Sequence, residues 1–305
     1  YIFRAFEEFT PWVNKIFLIT SGHLPSWLNI DHPKLVIIKH TDYIPHDYLP
    51  TFSSHPIELN IHRIKELNEH FVYFNDDFFI LQKLSPEEFF INNLPVDIAI
   101  LDAAHDGLIG HIILNNIDII NKNFNRHINP KFSKMQIVLN HFSRWVHPNY
   151  GLKSLQTLFL LQWKGHTGFV GNHHPQPYLK SVFQEAWNKE FEVLNQTSAS
   201  KFRDNQDVNQ YLFRYWQLVT GKFTPGKYKE FNSKRKRLEV RTLHDTKIVA
   251  KDIESRKYKM YCINDATAKG RYTQVDMSEE DFEKSKHVIK EALEKILPRK
   301  SSYEL

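Results

Sequence analysis

One cysteine, Cys262, occurs in 305 residues, which excludes an intramolecular disulfide and a multi-cysteine zinc site. So little cysteine suits a reducing compartment, and redox chemistry is not expected. Glycine is scarce as well, ten in all, and neither G-x-G-x-x-G nor a Walker phosphate loop is found. Enzymes built on those two loops are therefore disfavoured. The absence of a Gly-x-Ser-x-Gly elbow removes support for serine hydrolase chemistry, and no His-Glu-x-x-His pattern supports zinc. No apolar run approaches the ~20 residues needed to cross a bilayer. Arg4, Glu7 and Glu8 stand where a signal peptide would be apolar, so neither a membrane span nor export is expected.

What the chain does have is the balance of a globular protein, 41% hydrophobic and 25% charged, with no repeat or low-complexity stretch. Lys15–Thr20, Leu35–Ile38 and Phe71–Phe74 are short β-branched or aromatic runs closed by turn formers, and they read as buried strands. Ser53 or Ser54 can cap a helix that carries Ile57, Ile61 and Ile64 on one face and ends near Asn68. Helix is also predicted over 178–191, 204–218 and 279–297, the last with a Ser278 cap, and strand over 258–263. Alternation of strand and helix predicts an α/β fold, a Rossmann-like mixed sheet flanked by helices. Residues 1–105 would form the first part of the catalytic core, 106–170 a helical insert, and 171–305 the second part of the core.

The net charge of +5 is local: residues 222–259 hold 13 basic and 5 acidic side chains. Within them, Lys234-Arg235-Lys236-Arg237 reads either as a solvated loop or as a contact for an anionic partner. The run lacks the interleaved aromatics and fold signature of a nucleic-acid module, so nucleic acid is not the expected partner. A polyanionic substrate and an acidic membrane surface compete for the segment, the second placing a cytoplasmic protein peripherally at the inner face of the membrane.

Candidate chemistry lies at strand ends, where ligands bind in open α/β sheets. Asn75-Asp76-Asp77 closes the strand 71–74, and Asn264-Asp265 closes 258–263. Adjacent carboxylates there suit a hard cation that keeps waters and bridges phosphates; the plain alternative is a solvated turn. Gly171 to Pro177 concentrates His173 and His174 in a restricted loop, and an imidazole can accept a proton near neutral pH. Arg203 opens a predicted helix where a guanidinium and backbone N–H groups could hold phosphate oxygens, or where it is an ordinary surface arginine.

Together these blocks resemble the Stealth family of sugar-1-phosphate transferases, which includes bacterial capsular polysaccharide phosphotransferases and the catalytic subunit of the animal UDP-N-acetylglucosamine:lysosomal-enzyme phosphotransferase. The likeness rests on Thr10-Pro11-Trp12-Val13 to Pro25-Ser26-Trp27-Leu28-Asn29 and, above all, on Leu49-Pro50-Thr51-Phe52-Ser53-Ser54-His55-Pro56-Ile57-Glu58 running on to Tyr73-Phe74-Asn75-Asp76-Asp77. It continues through His173-His174-Pro175-Gln176-Pro177-Tyr178-Leu179-Lys180, Phe202-Arg203, Asp207 and Cys262-Ile263-Asn264-Asp265. The family's first block, a strand that helps hold the nucleotide, has no counterpart here, and His23 stands where many relatives have Gln.

The resemblance implies transfer of a hexose or N-acetylhexosamine 1-phosphate from a UDP-sugar to a hydroxyl of an oligosaccharide or polysaccharide acceptor, with release of UMP. It implies His173 as general base, or alternatively Asp77 as base with His173 as electrostatic support. Asp76 and Asp77 would hold Mg2+ or Mn2+, and Arg203 would neutralise charge on the transferred phosphoryl group. Substrate-binding positions implied alongside are Asn75, Ser54, Glu58, Arg63, Lys180, Asp207, Asn264 and Asp265.

Overall fold

The β-branched runs do form strands, but they pair in a way that hydropathy alone does not specify. A computed structural model describes residues 1–104, 109–124, 133–171, 173–265 and 277–305. The ten strands among the described residues are β1 (Ile16–Thr20), β2 (Leu35–Lys39), β3 (His70–Tyr73), β4 (Phe78–Ile80), β5 (Phe90–Ile91), β6 (Leu94–Asp97), β7 (Gln176–Leu179), β8 (Thr224–Pro225), β9 (Arg235–Val240) and β10 (Met260–Asp265). They make four short sheets: β1–β2, β3–β7, β4–β10–β9 and β5–β6–β8. With helices interspersed throughout, the protein is of the α/β class.

Three registers matter for function. Strand β7 runs antiparallel to β3 with Tyr73 opposite Gln176, so the residues following β3 and those preceding β7 lie side by side. Strand β10 is antiparallel to β4 with Cys262 opposite Phe78, and parallel to β9 with Cys262 opposite Arg237. The Asn75–Asp77 turn, the His173 loop and the end of β10 are thereby brought together.

Several segments differ from the sequence reading, each for a local reason. The helix that begins at Ser54 is capped by Ser53, whose side chain accepts from His55 N–H, but it ends at Leu59. Asn60 Nδ2 donates to the Pro56 carbonyl at 2.8 Å, taking an acceptor the next helical turn needs, and the chain continues as a 3-10 turn over Ile61–Arg63. The helix predicted from 178 starts instead at Lys180, because Gln176–Leu179 is strand β7; Pro177 gives the ladder no donor yet fits a strand paired with β3 alone. The helix predicted from 204 starts at Tyr211. Ahead of it Asp204, Asp207 and Asn209 accept backbone N–H groups from Gln206, Asp204 and Tyr211, a local network that replaces helical bonding. Arg203 is therefore not at a helix N-terminus. The basic run is not a loop: it enters β9, where Arg235 is buried with its guanidinium 3.7 Å from the Phe231 ring centroid, while Lys234 and Arg237 stay exposed.

The expected cap of the last helix is present, with Ser278 accepting from Asp281 N–H at the start of Glu279–Ile296. In the region 106–170 the described residues form the helices Gly110–Asn123, Lys134–Asn140, Phe142–Trp145 and Ser154–Leu160 and a 3-10 stretch. The largest core cluster joins the apolar segment 98–101 to Ile117 and Ile120, to Val182, Phe183 and Ala186, and to the wholly buried helix Tyr211–Val219. A second cluster packs the helices Ile2–Phe9, Leu243–Glu254 and Glu279–Ile296 around β4 and β10. No helix among the described residues is long and apolar enough to cross a membrane.

Candidate active site

Asp77 lies where the three segments meet. Its Oδ2 accepts from Asn264 Nδ2 at 2.5 Å, faces His173 Nε2 at 3.3 Å and receives the Cys262 thiol at 3.3 Å. Its backbone oxygen accepts from Ile263 N–H at 2.9 Å, which fixes the turn against β10. Burial works against ionisation of Asp77, but the His173, Cys262 and Asn264 hydrogen bonds prevail and hold its carboxyl below the usual range. Burial and the Asp77 charge raise the Cys262 thiol, so it stays protonated and acts as a donor. The His173 ring meets Phe78 edge-on, with centroids 5.2 Å apart.

Asp77 Oδ1 is buried without a hydrogen-bond partner. An ionised oxygen left in that state is an acceptor that still needs a cation or a donor. Asp77, His173 and Cys262 each place one ligand atom within 4.8 Å of the others, so the cluster can hold a metal ion.

Around this centre opens a cleft of about 2320 Å³. That exceeds the roughly 300–1,000 Å³ of a small-molecule pocket, leaving room for two substrates. Asn75, Asp76, Asp77, His173 and Asn264 line it, as do Ser54, Glu58 and Arg203 from the opposite segments. Arg203 Nη2 donates to Ser54 Oγ at 3.4 Å and is otherwise exposed. Three proposed residues are placed elsewhere. Lys180 Nζ donates to the carbonyls of Ile64 and Leu67, Arg63 bonds Asn60 and covers the Trp187 ring, and Asp207 is buried against His55 Nδ1 at 2.9 Å. They brace the walls rather than face the cleft. Asp265 ends β10, and its side chain lies outside the described residues.

The decisive comparison is with known proteins. The family profile Stealth protein CR2, conserved region 2, matches residues 1–97. Over its full length the chain is 40% identical to a capsular polysaccharide phosphotransferase, WcwK, of Streptococcus pneumoniae, covering 84% of that protein. This chain belongs to the Stealth family. It is also 39% identical to the receptor polysaccharide phosphotransferase WefC of Streptococcus gordonii and 36% to the exopolysaccharide phosphotransferase cps2G of Lactiplantibacillus plantarum, again over all of this chain and about 85% and 84% of theirs.

Two residues of this Stealth protein's site, Cys262 and Arg237, went without a role in the sequence reading. Cys262 and Asn264 are two apart on β10 and so share a face, and Arg237 is in register with Cys262 and donates from Nε to Asn264 Oδ1 at 3.2 Å. The period-two pattern through Arg235, Arg237 and Glu239 was the available signal, obscured by the clustered charges.

Glu58 gives a test of the cleft wall. It is buried, accepts from Tyr73 Oη at 3.1 Å, and burial lifts its pKa to about 7 against the pull of Tyr73, Ser54, Gln210 and Arg203. The fold therefore retains a proton that the unfolded chain, near 4.5, gives up. The neutral acid is fully tolerated below pH 4.5, and stability drains away as pH rises through 7. Glu58→Gln should remove that loss, so its stability relative to wild type should improve between pH 5 and pH 8.5 by up to about 3 kcal/mol. Urea denaturation at both pH values measures this; a difference that does not change with pH would show that Glu58 is ionised in the fold.

Proposed function

We propose that this Stealth protein transfers a hexose or N-acetylhexosamine 1-phosphate from a UDP-sugar to a hydroxyl of a glycan acceptor, in capsular or cell-surface polysaccharide synthesis. The observation that carries the reading is the His173–Asp77 pair set in a cleft with facing arginines. The names of its relatives, phosphotransferases of capsular, receptor and exopolysaccharides, support phosphotransfer in polysaccharide synthesis.

An ionised carboxylate only accepts hydrogen bonds, so the proton between Asp77 and His173 resides on Nε2, leaving the Nδ1 lone pair to take the acceptor's hydroxyl proton. The acceptor oxygen then attacks the phosphorus bearing the sugar. The new P–O bond forms as the bond to the bridging diphosphate oxygen breaks, and UMP departs. The sugar's C1–O bond is untouched, so its anomeric configuration survives. Arg203, and Arg237 across the cleft, face the negative charge that spreads over the transferred group. Asn264 and Cys262 hold Asp77 in its orientation.

Divalent magnesium or manganese would suit this site, because Asp77 Oδ1 is a buried acceptor without a partner and Asp76, adjacent in sequence, is an exposed carboxylate lining the same cleft. Bound by Asp76 and Asp77, the ion would neutralise the diphosphate and aid departure of UMP. The test is nucleotide release from a panel of UDP-sugars with an oligosaccharide acceptor, with magnesium and with chelator. UMP formed only with metal and acceptor is the expected result; UDP in its place would mean glycosyl transfer, and no release from any donor would mean a binding protein.

A further inference from the structure

The helix Ser154–Leu160 is built inside out. It buries Ser154 and Thr157 and exposes Leu155 and Phe159, while Leu152 just before it is 85% exposed and Trp163 just after it 52%. The inward polar face is satisfied: Thr157 Oγ1 accepts from Leu101 N–H at 3.1 Å, and Gln156 Nε2 donates to the Leu101 carbonyl and to Asp102 Oδ1. Leu152, Leu155 and Phe159 recur at three and four residues, so they form one stripe, and that stripe faces water. The neighbouring helix Lys134–Asn140 likewise exposes Met135 and Leu139. Lys134 ties the two together through the carbonyls of Leu160 and Gly165. A single exposed leucine needs no explanation, but several exposed apolar side chains on one helical stripe, with more on a helix tied to it, mark a contact surface.

Charge identifies what covers it. The 66 residues between Asp118 and Glu185 contain no aspartate or glutamate and eight lysines and arginines. Lys153 and Lys164, both exposed, flank the apolar stripe. Apolar side chains on one helical face with lysines at its borders and no acidic group suit a surface that is apolar within and anionic at its boundary.

We propose that the Leu152–Trp163 face docks on an anionic lipid surface, with Leu152, Leu155, Phe159 and Trp163 entering the acyl boundary and Lys153 and Lys164 at the headgroups. This is a different surface from the basic strand β9, whose Arg235 is buried and whose Arg237 faces the cleft. It is independent of the proposed reaction, but it orients the site. Asp102, held by Gln156, lines the cleft, so docking fixes the cleft's direction relative to the bilayer.

The full chain should co-sediment with vesicles of phosphatidylcholine mixed with phosphatidylglycerol, and weakly with phosphatidylcholine alone. Phe159→Asp should lower binding to the mixed vesicles by about tenfold or more, and Lys153→Glu with Lys164→Glu should remove the preference for the anionic lipid. Because these side chains are exposed, unchanged melting temperatures will show that the variants fold. Lys234→Ala with Lys236→Ala should leave binding as it is. Wild-type binding by Phe159→Asp, loss of binding in the Lys234/Lys236 variant, or absence of vesicle binding with a dimer that Phe159→Asp dissolves would each overturn the proposal.

Discussion

Replacing His173 with Ala should lower turnover by about 10³-fold or more while leaving the melting temperature near the wild-type value. A loss of that size is about 4 kcal/mol of transition-state stabilisation, the amount a positioned general base supplies. The fold should tolerate the change, because His173 is partly exposed and its described polar bond is the one to Asp77. Asp77→Asn should be comparably severe by a different route. An amide can still accept from Asn264, but it removes the charge that orients and stabilises a protonated imidazole. The pair also decides which group is the base. If His173 takes the proton, His173→Ala should recover activity with added imidazole, and Asp77→Asn should not. If Asp77 takes it, imidazole should restore nothing. Turnover within about tenfold of wild type in His173→Ala would remove it from the chemistry altogether.

How much of this site could be read from residues alone depends on which physical signal each part carried. The turn Asn75-Asp76-Asp77 was legible because a polar triplet after a β-branched and aromatic run ends a strand wherever the chain goes next. The Ser278 cap was legible for a similar reason, since capping is local. What brings His173 to Asp77 is not local. It is the antiparallel register of β3 and β7, and the residues of β7 were divided between a loop ending at Pro177 and a helix from 178, because Pro175 and Pro177 obscure the pattern of a strand. The opposite error occurred before Tyr211, where short polar side chains close hydrogen bonds on the backbone and delay a helix that composition alone supports. Arg63 and Lys180 carry the same charge as Arg203, and sequence gave no means of telling a wall brace from a cleft residue. The distinction rests on whether nearby carbonyls and ring faces take up the cation, as they do for Lys180 and Arg63.

Breaking the buried pair between Asp97 and Arg214 should be the costliest single change to stability, about 3–5 kcal/mol for Asp97→Asn or Arg214→Met, read from urea denaturation. Arg214 is fully buried in the centre of the helix Tyr211–Val219, and its Nε and Nη2 both donate to the Asp97 carboxylate, at 2.8 to 3.1 Å. Burial alone would favour loss of its proton, but the Asp97 charge and hydrogen bonds raise its pKa, so the guanidinium is charged in the core. Removing either partner strands the other charge in a low-dielectric interior, and that penalty, more than the lost attraction, sets the magnitude. The double variant Asp97→Asn with Arg214→Met should therefore be more stable than the sum of the single losses requires. The pair also reaches the candidate active site. Arg214 Nη1 donates to the Val170 carbonyl at 2.9 Å, and Gln176 Nε2 donates to Asp97 Oδ2 at 3.1 Å, so the cluster clamps the chain on both sides of His173. Asp97→Asn should accordingly lower kcat even where the protein is still folded, with little change in KM. An unchanged kcat in folded Asp97→Asn would mean that β3 and Asp77 alone hold the His173 loop in place.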